Sequence, residues 1–124
     1  MKEPTWLEKE AVLLLHLTSL ARFGGSEGLR DEAALEAALA RPRNRYAYKG
    51  SVDLADLAAA YAFGFAKNHP FVDGNNRAAF MSFGVFLEIN GVTLRAAPAE
   101  AVAAVVALAD GSMSEREFST WLRM

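Results

Sequence analysis

Within ten residues, Asn68-His69-Pro70-Phe71-Val72-Asp73-Gly74-Asn75-Asn76-Arg77, the sequence brings together the side chains that a group-transfer reaction needs. An imidazole titrates near neutrality, which makes His69 the natural general base of the stretch. The Asp73 carboxylate is an oxygen ligand of the kind Mg²⁺ takes, one or two carboxylates being completed by substrate phosphates. Arg77 offers a planar fork to a phosphate. Gly74 lets backbone approach a ligand closely, and Asn75 and Asn76 add amide donors. A helix starting at Gly74 would also present free N–H groups and the positive end of its dipole to an anion. Lys67, two residues before the base, could reach the same phosphate, although a solvated lysine at a helix end is the commoner arrangement. Base, metal ligand and phosphate cradle at this spacing predict phosphoryl or nucleotidyl transfer. The blander alternative is a polar capping turn, with Asp73 as the cap and Arg77 on the surface. The combination of letters outweighs it.

Such a cradle needs elements to hold it, and the flanking pattern is helical throughout. A first helix is expected from about Pro4 to Phe23, with Leu13, His16, Leu17 and Leu20 on one face and Gly24-Gly25 at its end. His16 reads as a core histidine rather than a ligand. A second helix starts at Asp31, carries Leu35, Ala38 and Leu39 inward, and should stop before Pro42. From Arg41 to Ser51 the letters alternate, which reads as an extended loop or a short hairpin. Helix three is expected from about Asp53 to Lys67, with Leu54, Leu57, Ala58, Tyr61 and Phe65 inward. Pro70 disfavours helical angles at His69, so the chain must turn there. Helix four runs from Gly74 to Asn90-Gly91. Phe80, Met81, Phe83, Val85, Phe86, Leu87 and Ile89 cover it nearly all round, which predicts the central, buried helix. Pro98 opens a fifth helix closed by Gly111. Ser114 with Glu117 forms a capping box for a sixth that carries Phe118, Trp121 and Leu122. No repeat and no linker interrupts residues 1–124, so a single all-α domain of about six helices is expected.

Composition narrows the function. Hydrophobic residues make up 52% and charged ones 23% of the sequence, which excludes a disordered chain. Fifteen acids against thirteen bases give a net charge of −2, a poor match to a phosphate-backbone binder, so direct nucleic-acid binding is not expected. That balance also argues against reading Arg41–Lys49, with Tyr46 and Tyr48, as a stacking surface for nucleic acid. No cysteine is present, and two histidines cannot make a multi-histidine zinc site. No apolar run approaches a membrane span and the amino end does not read as a leader, so no membrane association and a cytoplasmic location are expected.

His69-Pro70-Phe71-x-Asp73-Gly74-Asn75-x-Arg77 resembles the signature of the Fic/Doc superfamily. The rest looks most like its Doc-like (death-on-curing) toxin branch. The likeness extends to Leu15-His16, Phe23-Gly24-Gly25, Gly28-Leu29-Arg30-Asp31, Phe86–Gly91 and the closing Trp121-Leu122. It implies a helical bundle around a central buried helix with a short extended flap, here Tyr46, Ala47, Tyr48 and Lys49, that aligns a target segment. It implies that His69 takes the proton of a target protein's hydroxyl, that Asp73 holds Mg²⁺, and that Asn75 and Arg77 bind phosphate with Gly74 and Asn76 giving backbone contacts. ATP would be the co-substrate. A Doc-like protein would transfer phosphate to elongation factor Tu, block translation, and be silenced by an antitoxin. AMP transfer to a protein hydroxyl, or a degenerate binding module of the same fold, are the alternatives. Phe80 stands where AMP-transferring members usually carry a second arginine, and Asn76 stands where Doc-like proteins usually have lysine. Self-inhibited relatives plug the site with a helix bearing Ser or Thr and a glutamate four residues on. Thr18, Ser19, Ser26, Ser112, Ser114 and Ser119 all lack that glutamate, so an inhibitor is either absent or, as the resemblance to the Doc branch implies, an antitoxin supplied in trans, and an exposed apolar groove between outer helices is expected.

Overall fold

The computed structural model describes residues 2–48 and 52–124. Six helices follow one another: α1 (Lys9–Phe23), α2 (Glu32–Tyr48), α3 (Leu54–Asn68), α4 (Asn75–Ile89), α5 (Pro98–Asp110) and α6 (Glu115–Arg123). Among the described residues there is no strand beyond a single antiparallel bridge between Leu29 and Phe71. The all-α class is therefore as expected.

The centre of the bundle is α3 rather than α4. Residues Leu57 to Ala62 and Gly64 to Ala66 are all buried, and α3 packs against α2, α4, α5 and α6. Its many alanines keep the helix thin enough for neighbours on every side. On α4, by contrast, Phe80, Met81 and Val85 are half-buried and Ile89 is exposed. Apolar letters all round a helix did not mean burial all round, because Phe80, Met81 and Val85 line an open hollow. Phe83, Phe86 and Leu87 are core residues, as anticipated.

Two boundaries differ from expectation. Helix α1 begins at Lys9, not Pro4, because Trp6 and Leu7 leave the helix to reach the core. Trp6 packs against Tyr46 and Phe86, and the Leu7 N–H donates to the Tyr61 hydroxyl at 3.1 Å. The buried face of α1 is Val12, His16, Ser19 and Leu20, so Leu17 turns outward.

Helix α2 continues through Pro42 to Tyr48, which overturns the extended flap over Tyr46, Ala47 and Tyr48. Proline withholds one helical hydrogen bond from Ala38, yet tertiary contacts hold the rest of the helix. Arg41 and Arg45, one turn apart, both pair with the largely buried carboxylate of Glu115 on α6, Arg45 at 2.7 Å. Arg43 pairs with Glu8 and lies over the Trp6 ring. The alternation of arginines was thus a helix surface spread over three partners. Lys49, the last flap candidate, lies outside the described residues.

Candidate active site

His69 ends α3 in the left-handed conformation, φ 49° and ψ 57°, the one positive φ at a non-glycine residue among the described residues. Such a conformation costs an L-residue about 1–2 kcal/mol, so the surroundings must impose it. They do so through the segment between α1 and α2. The Arg30 guanidinium donates from Nε to the His69 carbonyl at 2.7 Å and from Nη2 to the Asn68 carbonyl at 2.9 Å. The N–H groups of Arg30 and Asp31 both donate to the Pro70 carbonyl, at 2.7 and 3.1 Å, and Val72 N–H donates to Gly28 at 3.0 Å.

Beneath the loop, Phe71 is buried and stacks face to face on His16, ring centroids 3.7 Å apart. His16 Nε2 is 2.7 Å from the Asp73 carbonyl oxygen, which can only accept, so that nitrogen carries the proton. The expectation of a satisfied core histidine holds. Its role is to anchor the loop from below.

The Asp73 carboxylate lies at the surface. Oδ1 accepts from Gly74 N–H at 2.8 Å and Oδ2 from Ser26 N–H at 3.2 Å. These two bonds, the Ser26 one foremost, hold the carboxyl below its ordinary pKa, helped by the positive charge of Arg77. Gly25 lies so close that a Cβ there would meet Asp73 Oδ2 and Leu20 Cδ2 at 2.9 Å and Arg77 Nη2 at 3.1 Å, and its φ of 125° is one a side chain rarely adopts. The strap after α1 fits over Asp73 and Arg77 because it carries no side chain there.

Gly74 begins α4 in the left-handed region, φ 77°, with no side chain to cap the first turn. The leading N–H groups of α4 therefore have neither an intrahelical acceptor nor a side-chain cap, and the residues that carry them line the hollow. Arg77 is half-buried and donates from Nη2 to the Gly24 carbonyl at 2.9 Å, which leaves the other donors of its fork for a ligand. His69, Val72, Asp73, Gly74, Asn75, Asn76 and Arg77 line one open concavity of about 350 Å³.

Two expected phosphate ligands have other partners. The Asn75 side chain is folded back on the loop, its Oδ1 accepting from Phe71 N–H and its Nδ2 donating to the Phe71 carbonyl, both at 3.0 Å. Its side chain braces the turn, and its backbone N–H is what it offers an anion. Lys67 points away, with Nζ 3.3 Å from the Ala109 carbonyl at the end of α5, where the negative end of that helix attracts it. Asn76 is exposed and lines the concavity.

Residues 6–87 match the family model described as Fic/DOC. The chain belongs to the Fic/Doc family. It is 33% identical over 117 residues to "Protein kinase doc" of Escherichia phage P1, covering 94% of this chain and 92% of that protein. It is 44% identical over 92 residues to "Toxin Doc" of Mycolicibacterium smegmatis, covering 73% of this chain and 68% of that protein. Within the Fic/Doc family it stands in the Doc-like branch.

The Fic/Doc motif was legible before the structure, but its supports were not. Arg30, Ser26, Gly25 and the Gly24 carbonyl all act on it from about 40 or more residues away. Their signal was the density of glycine from Gly24 to Gly28, followed by an arginine where a helix was about to start. No group of three or more His, Cys, Asp or Glu that could hold a metal occurs among the described residues.

Proposed function

We propose that this chain is a Doc-like toxin that transfers the γ-phosphate of ATP to a hydroxyl of a target protein. Its broad class, a Fic/Doc toxin of the protein-modifying type, rests on the family and the two relatives. The observation that supports phosphoryl transfer is the meeting of His69, Asp73, Arg77 and the uncapped start of α4 around one concavity. His69 takes the proton from the target hydroxyl as its oxygen bonds to the γ-phosphorus. The bond from that phosphorus to the β–γ bridging oxygen breaks, and ADP leaves with the electron pair. The imidazolium then returns its proton to water. The first-turn N–H groups of α4 and the free donors of Arg77 stabilise charge on the phosphate oxygens without having to reorganise.

Asp73 fits Mg²⁺. Each of its oxygens accepts one hydrogen bond and keeps a lone pair, the carboxyl stays ionised, and a magnesium site of one carboxylate completed by phosphates and water needs no cluster. When bound, the ion would neutralise phosphate charge.

Elongation factor Tu is the proposed target, and an antitoxin supplied in trans the proposed partner. Phe80, packed edge-on to Phe83 three residues after Arg77, offers no second cation for an AMP-transfer geometry. The test is incubation with elongation factor Tu, Mg²⁺ and ATP labelled at either the α or the γ position. Label from γ alone supports the kinase reading, label from α establishes AMP transfer, and label from neither leaves a binding module.

A further inference from the structure

Arg30 lies outside the motif and outside the lining of the concavity, yet it is the side chain that holds the backbone of the base. Its fork spans two successive carbonyls, those of Asn68 and His69, while its own N–H and that of Asp31 take the next, Pro70. Three consecutive carbonyls across the turn thus end on residues 30 and 31. The turn contains the one non-glycine residue with positive φ among the described residues, and that residue is His69. A cation bonded to the last carbonyls of a helix also answers the negative end of its dipole, which explains an arginine rather than a neutral donor.

We propose that Arg30 is a positioning residue for His69, fixing the left-handed turn that aims the imidazole into the concavity. The inference rests on the reading of His69 as the base. A merely structural Arg30, acting as a cap for α3, would change stability alone. A positioning Arg30 changes the rate and the conformation of residue 69 together.

The experiment uses the full chain with Arg30→Ala and Arg30→Lys. Three quantities are measured: kcat and KM for ATP with elongation factor Tu as acceptor, the His69 amide–Hα coupling by NMR, and the melting temperature. Arg30→Ala is expected to lower kcat on the order of tenfold to a hundredfold, as misplacement of a catalytic group does, with KM for ATP within about twofold. The His69 coupling should leave its left-handed value, and added guanidinium should restore both. Arg30→Lys, able to reach one carbonyl at a time, should fall between. Wild-type kcat in Arg30→Ala, or a lost kcat with an unmoved coupling, overturns the proposal. If Arg30→Ala does not fold, Arg30→Lys is judged by the same two readouts. Should His69→Ala transfer as well as wild type, or wild type transfer nothing, the function proposed above fails instead. The coupling in Arg30→Ala then decides the positioning role by itself.

Discussion

At the C-terminal end of α4, Leu54, Leu87, Val92, Leu94, Trp121 and Leu122 surround an open hollow of about 880 Å³, whereas at its N-terminal end the motif surrounds one of about 350 Å³. The larger has Asp53, Arg95, Glu100 and Arg123 at its rim, and there Arg123 pairs with Asp53 at 2.8 Å and Asp56 at 2.6 Å. The helix end facing it is closed as well. Asn90 Nδ2 donates to the Phe86 carbonyl at 2.8 Å, Gly91 N–H to Glu88 at 3.0 Å and Val92 N–H to Leu87 at 2.9 Å. At the other end Gly74 leaves the first turn uncapped, and an ionised carboxylate and a partly committed guanidinium stand beside it. Volume marks where packing stopped. Unsatisfied polarity marks where chemistry can begin.

The largest effect should come from the base. His69→Ala is expected to lower transfer by about 10² to 10⁴ while leaving fold and nucleotide affinity nearly intact. A variant that keeps more than about half of the wild-type rate would erase the distinction between the two ends. Phe71→Ala should act on the fold instead. Removing a buried ring stacked on His16 should cost about 3–5 kcal/mol in chemical denaturation, and the concavity should lose its floor. A loss below about 1 kcal/mol would show that the loop does not need the core.

Next come the phosphate contacts, read by nucleotide titration. Arg77→Ala should weaken ATP with or without Mg²⁺, by roughly tenfold for a lost charge-assisted bond. Asp73→Asn should do so only when Mg²⁺ is present. Because two N–H donors depress the folded-state pKa of Asp73, its contribution is present above the unfolded value and is lost only as pH falls through the lower folded one. The difference in Mg²⁺-dependent affinity between wild type and Asp73→Asn should therefore persist on acidification down to about pH 4, the ordinary aspartate range. Disappearance of that difference already at pH 5 to 6 would point to another ligand. The smallest effect belongs to the far hollow, where Val92→Ala, partly exposed, should change stability by less than about 1.5 kcal/mol and the transfer rate not at all. A large rate effect there would join the two ends into one site.

Helix count, helix types and the motif could be read because each is written locally: glycine and proline at the ends, a capping box at Ser114, letters three and four apart. What could not be read depended on partners distant in sequence. Pro42 looked like a stop until Glu115 gathered Arg41 and Arg45 and Trp6 met Tyr46. Asn75 looked like a phosphate ligand until its amide closed on Phe71, and Lys67 until the end of α5 came within reach. The centrality of α3 over α4 was hidden for the same reason. Alanine is a weak hydrophobic signal in a sequence, and its smallness counts only once neighbours arrive.

The hydrogen bonds from residues 16–30 to the motif loop and Arg77 span 38 to 57 positions of chain. A ribosome makes the chain from its amino end, so the clamp is synthesised well before the loop that it shapes. Until Arg77 has left the exit tunnel and α1 has docked on α4, no part of the nascent chain can carry the site. A chain cut short anywhere before that point lacks the assembled site, whatever fraction of the motif it contains. The amino-terminal clamp waits for its loop, and the site forms in one step when the two meet.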